Sequence, residues 1–117
     1  MDKGLKRKLT AIGINVDEAV ERMLGYEDFY IELLKKITTD DNYEKLRKAL
    51  IARDSDAAFK AAHTLKGLSG DLAITALFVP LTEITDALRH KDIDQALVYM
   101  QSFSERYHKV IEVIQAV

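Results

Sequence analysis

Cysteine, glycine and proline are absent or scarce in this 117-residue chain, which has no cysteine, five glycines and one proline. Without cysteine the chain can form neither a disulfide framework nor a thiolate metal site, and a cytoplasmic protein is the default expectation. No apolar run approaches the length that a membrane span or a signal peptide requires, so we expect no membrane association. The few glycines and the single proline leave little to interrupt long helices.

The chain also lacks an excess of positive charge. Its formal net charge is −2, whereas a nucleic-acid-binding domain normally carries a basic excess, so we expect no nucleic-acid partner. A short basic cluster within residues 3–8 is better explained as a solvated helix face. With 48% hydrophobic and 31% charged residues, the composition is that of a globular protein. The length predicts a single domain over residues 1–117, and we expect a monomer.

Apolar residues recur at helical spacing along nearly the whole chain, and almost no alternating strand pattern occurs. This predicts an all-α fold, with one or two short N-terminal helices within residues 2–24 and a bundle over about residues 26–116. Within the bundle the spacing predicts helices at 26–38, 43–53, 56–72, 75–90 and 93–116. Short connections between long amphipathic helices favour antiparallel neighbours, so we expect an up-down-up-down four-helix bundle. The polar stretch 38–42 is either a break or a bend, and the sequence leaves both open.

Several local features follow from the same pattern. Phe29 and Leu97 fall on the predicted inward faces of their helices. Ser55 is the predicted N-cap of the helix that follows it. Pro80 predicts either a kink near Ala76 or a late start of its helix, because proline removes one backbone hydrogen bond and clashes with the preceding turn.

The segment from Asp56 to Leu72 carries the most informative pattern. Its apolar residues fall on one stripe of a helix, which is the pattern of a face buried against other helices. The stripe consists of Ala58, Ala61, Ala62, Leu65, Leu68 and Leu72. Taking Leu65 as its centre, His63 lies roughly 160° around the helix, so we expect the imidazole to be in water.

His63 shares this outer face with residues three, four or seven positions away, namely Phe59, Lys66, Gly67 and Gly70. A glycine inside a helix costs about 0.5–1 kcal/mol relative to alanine, so a stretch with two of them on one face should gain something from the missing side chains. We expect the gain to be open space through which another macromolecule approaches the imidazole. The alternative, that both glycines are C-caps, is disfavoured because the apolar stripe continues beyond them.

His63-Thr64-Leu65-Lys66-Gly67 resembles the active-site motif of histidine phosphotransfer (HPt) domains, the relay modules of multistep two-component signalling. Residues 13–37, GINVDEAVERMLGYEDFYIELLKKI, are similar to the usual lead-in of these domains, and residues 88–94, LRHKDID, resemble the hairpin that follows their active site. The resemblance therefore spans nearly the whole chain. The chain departs from the family pattern at Leu68, Ala73 and Thr85, where members usually have a small residue, a glycine and an acidic residue. These departures bear on packing beneath the site and on which receivers fit.

The resemblance implies that the chain is a phosphoryl carrier in a two-component phosphorelay. His63 would attack the phosphorus of an aspartyl phosphate on a receiver domain, and the phosphohistidine would pass the group to another receiver. Lys66 would offset charge on the phosphoryl oxygens, and Gly67 would give access. No cofactor is expected on this chain, because the magnesium ion would belong to the receiver. The chain would have no kinase activity of its own, and its partners would be response-regulator receiver domains and a hybrid sensor histidine kinase.

A receiver also needs a footprint around the histidine. Phe59 is the first candidate for an apolar contact, although a boundary residue partly buried against the next helix explains it equally well. Lys60 and Gly70 lie on the same face as His63 and would fall within the footprint. Asp71 projects more to one side and is the outermost candidate.

Other interpretations have weaker support. Glu105 and His108 have the Glu-x-x-His spacing of di-iron bundles, but neither other histidine supplies a second copy, so we expect no metal site. His90 is at a predicted helix C-terminus, where an imidazole suits the helix dipole. The alternatives to a free-standing carrier are a helical docking module that binds receivers without transferring phosphate, and a segment of a larger hybrid histidine kinase.

Overall fold

The computed structural model describes residues 1–117, which form helices without any strand. Seven α-helices and one 3-10 turn follow one another along the chain: α1 (Lys3–Ala11), α2 (Val16–Arg22), α3 (Glu27–Lys36), the 3-10 turn (Ile37–Thr39), α4 (Asn42–Ile51), α5 (Ser55–Asp71), α6 (Thr75–Arg89) and α7 (Ile93–Gln115). The predicted all-α fold is confirmed. None of these helices is both long enough and apolar enough to cross a membrane.

Helices α4 to α7 form the bundle. Each is joined to the next by three residues, 52–54, 72–74 and 90–92, and connections this short place consecutive helices side by side and antiparallel. Contacts between α5 and α6 reflect the opposed directions, because Phe59 meets Arg89 whereas the later residue Lys66 meets the earlier residue Phe78. One hydrophobic cluster of 29 buried residues fills the centre and takes members from all seven α-helices.

The three reversals of the bundle use the same backbone device. One residue in each lies in the left-handed conformation, with φ of 55° at Arg53, 56° at Ala73 and 59° at Lys91. After Ala73, the N–H of Ile74 donates to the carbonyl of Ser69 at 2.9 Å, and the other two helix ends repeat this bond. This is a Schellman ending, in which the helix stops and the chain turns away within two residues. It explains how the bundle reverses direction three times with such short connections.

The polar stretch between α3 and α4 is a break. The chain tightens into the 3-10 turn, and Asp40 then extends with φ −72° and ψ 136°. The Asp40 carboxylate accepts hydrogen bonds from the backbone N–H and the side-chain amide of Asn42, at 2.9 and 3.0 Å. Because the first N–H groups of a helix have no partner within it, this carboxylate stabilises a new start at Asn42.

The prediction that Phe29 and Leu97 face inward is wrong, since they are 53% and 37% exposed. In α3 the buried positions are Tyr30 and Leu34, one residue away from Phe29 and one turn further on. Both helices bury a narrower stripe than their apolar pattern suggests. The pattern marks which residues could be covered, and the neighbouring helices decide how many are.

Two predictions about helix starts also need correction. The N-cap of α5 is Asp54 and not Ser55, because the Asp54 carboxylate accepts a hydrogen bond from the N–H of Ala57 at 3.1 Å. Aspartate and serine cap helices about equally well, so the sequence alone does not separate these adjacent positions. Helix α6 begins at Thr75 and includes Pro80, which excludes the late start predicted as one effect of the proline.

The two short N-terminal helices are attached to the corner between α5 and α6. The N–H of Ala76 donates to the carbonyl of Gly13 at 3.0 Å, and the N–H of Asn15 donates to the carbonyl of Ala73 at 2.9 Å. Gly13 has φ of +90°, and a Cβ on it would come within 2.4 Å of the Ala76 Cβ. Glycine is therefore required for the α1–α2 corner to lie this close to the start of α6.

Side chains from α2 and α3 hold the C-terminal end of α5. Tyr30 is fully buried, and its hydroxyl donates to the carbonyl of Leu72 at 2.7 Å. Arg22 donates to the carbonyl of Gly70 at 2.6 Å. The last carbonyls of a helix lack partners within it, so these bonds stabilise the end of α5. Burial raises the pKa of Tyr30, so the phenol stays protonated and remains a donor.

Candidate functional site

Helix α5 buries one face and exposes the other. The three alanines at 58, 61 and 62 are at most 5% exposed, as the apolar stripe predicts, and His63 is exposed on the opposite side. The stripe is wrong at one position, because Leu68 is only partly buried and Ser69 is fully buried instead. Leu68 lines an open groove toward α2 and α3. Near its C-terminus, α5 therefore turns a hydroxyl rather than the leucine toward the core.

The His63 imidazole lies against the ring of Phe59, one turn earlier on the same helix. Their ring centroids are 5.7 Å apart and the ring planes differ by 12°, which is an offset stack. Phe59 is half-buried and packs against the hydrophobic core. Its two predicted roles, as an apolar contact on the outer face and as a boundary residue, are thus both compatible with its position. The histidine is exposed, but its ring is in contact with a partly fixed neighbour.

Arg89, at the end of α6, also lies over the Phe59 ring, with its guanidinium carbon 5.7 Å from the ring centroid. The Asp86 carboxylate accepts a hydrogen bond from Arg89 at 3.1 Å. Arg89 is a site residue that the sequence pattern does not predict. Its position 26 residues after His63 gives no periodic signal, and only the antiparallel packing of α5 and α6 brings it close.

Lys66 is placed in a similar way by an aromatic ring of α6. Its ammonium nitrogen lies 5.7 Å from the centroid of Phe78, within the range of a cation–π interaction. Phe78 is 38% exposed and is a second site residue that the sequence analysis missed. The available signal was a large apolar residue beside, and not within, the apolar stripe of α6 at 77, 81, 84 and 88. The cation predicted to serve a phosphoryl group is therefore held on the exposed edge between α5 and α6.

The two glycines of α5 differ in their surroundings. A Cβ on Gly67 would have nothing within 4 Å, so the open space predicted beside the histidine exists at this position. A Cβ on Gly70 would lie 3.0 Å from a ring carbon of Phe78. The expectation of open space at Gly70 is wrong, because the Phe78 ring occupies it. Gly70 instead allows the close approach of α6 to α5.

The remaining predicted contact residues lie on either side of the histidine. Lys60 is exposed one turn before it, and the Thr64 hydroxyl donates to the Lys60 carbonyl at 3.0 Å. Asp71 is exposed at the last position of α5, about 12 Å from His63 along the helix axis at 1.5 Å per residue. The outer face is thus most compact around His63 and extends to Asp71 only at its edge.

The other two histidines have separate surroundings. His90 caps α6, and its Nδ1 lies 2.9 Å from the Asp86 carbonyl, which confirms the predicted location at a helix C-terminus. His108 lies edge-on to the rings of Tyr43 and Tyr107, at centroid distances of 5.3 and 5.8 Å. No group of three or more histidine, aspartate or glutamate side chains is arranged to hold a metal ion.

Beneath the site, α6 buries a hydroxyl at Thr85. The residue is 1% exposed, and its Oγ1 has no hydrogen-bond partner. This is one of the positions where the sequence departs from the HPt pattern. A buried hydroxyl without a partner costs stability, so Thr85 lowers the free energy of unfolding of the bundle, and its side chain is not part of the outer face.

The fold and the site together define a helical bundle in which the outer face of α5 presents one exposed histidine beside a lysine and an open glycine. The chain belongs to the Hpt domain family, because the model of this family matches residues 36–116, more than half of its length and including α4 to α7. The predicted resemblance is confirmed. Hpt domains carry out histidine phosphotransfer in phosphorelays and interact with receiver domains of response regulators. Neither the curated proteins nor the solved structures include a significant match to the chain.

Proposed function

We propose that this protein is a phosphoryl carrier that accepts phosphate on His63 from the aspartyl phosphate of one receiver domain and passes it to another. The observation that carries the proposal is the exposed imidazole beside Gly67, where no atom would meet even an added Cβ within 4 Å. A receiver must bring its acidic active site up to the imidazole, and this side of α5 is open to it. Membership of the Hpt family supports the same conclusion.

In the proposed transfer, the lone pair of His63 Nε2 attacks the phosphorus in line with the bond to the receiver's aspartate. A P–N bond forms and the P–O bond breaks, with its electron pair leaving on the receiver's carboxylate. Nε2 is the ring nitrogen farther from the main chain, and on an outward-facing histidine it is the more accessible one. The second transfer reverses these changes on another receiver. Neither step asks this chain for an ATP site.

Lys66 is proposed to offset charge on the phosphoryl oxygens, because in-line transfer depends chiefly on positioning and charge compensation. Magnesium is proposed to come with the receiver, since the charged side chains next to His63 on the outer face of α5 are the cations Lys60 and Lys66 and not carboxylates. The chain acts as substrate and carrier and not as an autonomous kinase. The absence of cysteine is compatible with a cytoplasmic relay.

The direct experiment mixes the protein with a panel of receiver domains that carry labelled phosphate and follows the label. Wild-type protein should gain label from at least one receiver, and His63→Gln should gain none. The matched control is His108→Gln, which also removes an exposed histidine and should behave as wild type. Absence of transfer from every receiver would support the alternative of a docking module that only binds. Transfer that persists in His63→Gln would contradict the assignment of the phosphorylated residue.

The role of Lys66 is tested in the same assay. Lys66→Ala should slow transfer roughly 10- to 100-fold, the factor for losing a charge-assisted hydrogen bond of about 1.5–3 kcal/mol. Lys109→Ala is the matched control, because Lys109 is an exposed lysine on α7. An unchanged rate in Lys66→Ala, with Lys109→Ala also unchanged, would remove Lys66 from the mechanism.

A further inference from the structure

Two side chains, Phe59 and Arg89, lie between the histidine on α5 and Asp86 near the end of α6. The Phe59 ring stacks on the His63 imidazole with centroids 5.7 Å apart. The Arg89 guanidinium lies over the same Phe59 ring, at 5.7 Å from its centroid. Arg89 is in turn hydrogen-bonded to the Asp86 carboxylate at 3.1 Å. The Phe59 ring thus contacts both the imidazole and a cation on another helix.

Without neighbours, an exposed histidine on a helix occupies more than one χ1 rotamer and turns broadly about χ2. A parallel ring one turn earlier restricts both motions, because the stacked arrangement exists for only some combinations of the two angles. The restriction depends on how firmly Phe59 itself is held. Phe59 packs against the core, and the cation of Arg89 attracts the face of its ring.

We propose that Arg89 is a positioning residue for phosphotransfer, which acts through the Phe59 ring to keep the His63 imidazole in the orientation that presents Nε2 to a phosphoryl group. This inference rests on the proposed function, since it names the residues that prepare the same nucleophile. It assigns no contact between Arg89 and phosphate.

Orientation matters for this reaction because the attacking nitrogen must lie in line with the breaking P–O bond. Displacements of about 1 Å in the reacting atoms can lower a rate by two orders of magnitude. Rotamer averaging has a smaller effect. If the imidazole spends part of its time in other rotamers, the transfer rate is multiplied by the fraction of time that it spends in the productive one. For an exposed cation–π contact the expected loss is about two- to fivefold.

The first test needs no receiver. Nuclear Overhauser effects between the ring protons of Phe59 and His63 should be present in the wild-type protein and weakened in Arg89→Gln. They should largely return in Arg89→Lys, because lysine keeps a cation for the ring. Arg106→Gln is the control, since Arg106 is an exposed arginine on α7, and it should leave the signals unchanged. Unchanged signals in Arg89→Gln would overturn the proposal.

The second test measures transfer from a phosphorylated receiver at increasing receiver concentration. Arg89→Gln and Phe59→Leu should lower the maximal rate about two- to fivefold, with Arg89→Lys close to wild type. A loss in Arg89→Gln together with a normal maximal rate in Phe59→Leu would overturn the proposal, because Arg89 would then act without the ring. Absence of transfer in the wild-type protein would overturn the proposed function itself, and the spectroscopic result would show separately whether the coupling to Arg89 exists.

Discussion

Alanine substitutions at the two glycines of α5 should have different effects on stability, although both remove a glycine from the same helix. Neither glycine has a positive φ, so alanine fits the backbone at both positions. At Gly67 the new methyl group enters open space, whereas at Gly70 it comes within 3.0 and 3.1 Å of two ring carbons of Phe78. The pair therefore separates the backbone effect of glycine from its packing effect.

For Gly67→Ala we expect the free energy of unfolding to rise by about 0.5–1 kcal/mol, the difference in helix propensity between the two residues. At Gly70 the same gain is smaller, because the residue lies in the last turn of α5. The methyl group also pushes the Phe78 ring aside, and a displaced ring weakens its contact with Lys66, which is worth about 0.5–1 kcal/mol at an exposed site. Gly70→Ala should therefore be neutral or destabilising, and the two variants should differ by about 1 kcal/mol.

Urea denaturation followed by circular dichroism measures both free energies under one set of conditions. In the transfer assay Gly67→Ala should have the opposite effect. The variant is more stable, but it should transfer phosphate more slowly, because its extra methyl group lies on the face that a receiver must approach. Equal stabilisation by both substitutions would refute the assigned contact of Gly70 with Phe78. Destabilisation by Gly67→Ala would refute the open space beside the histidine.

The remaining predictions concern the support beneath the site. Thr85→Val should raise the free energy of unfolding by about 1 kcal/mol in urea denaturation, because it removes a buried hydroxyl that has no partner. Tyr30→Phe should lower it by about 1–2 kcal/mol, because the buried carbonyl of Leu72 loses its donor. Burial raises the pKa of Tyr30 above the ordinary tyrosine value of about 10, so above that pH the unfolded chain releases the phenolic proton first and stability falls as the pH rises. Denaturation curves in this alkaline range should therefore show a smaller decline for Tyr30→Phe than for the wild-type protein.

The outward position of His63 could be predicted because it depends only on the helical period and on a clear apolar stripe. Small residues at 58, 61 and 62 mark the face where α5 meets its neighbours, and all three are buried. The histidine lies opposite them whatever the neighbours are. The motif around it then identified the family, and the family model confirms it.

The partners of the outer face could not be predicted in the same way. Arg89 and Phe78 reach α5 only because the 72–74 connection folds α6 back along it, and which residues then face each other depends on the rotation of each helix about its axis. The same dependence explains the error at Gly70, whose missing side chain makes room for a ring on another helix and not for a partner protein. Periodicity describes one helix at a time, whereas these contacts belong to a pair.

Helices outside the matched region also contribute to the site. The family model begins at residue 36, yet Arg22 and Tyr30 hydrogen-bond to carbonyls at the end of α5. The N-terminal segment therefore stabilises the C-terminal end of the helix that carries His63, and removal of residues 1–35 would remove both bonds.

The central claim is that the imidazole at position 63 takes up the phosphoryl group. Mass spectrometry under neutral conditions, after incubation with a phosphorylated receiver, tests it most directly because it locates the added mass on a particular residue. The account predicts one acid-labile phosphate per chain, on His63. Phosphate found on His90 or His108, or an unmodified chain after incubation with every receiver tried, would contradict it.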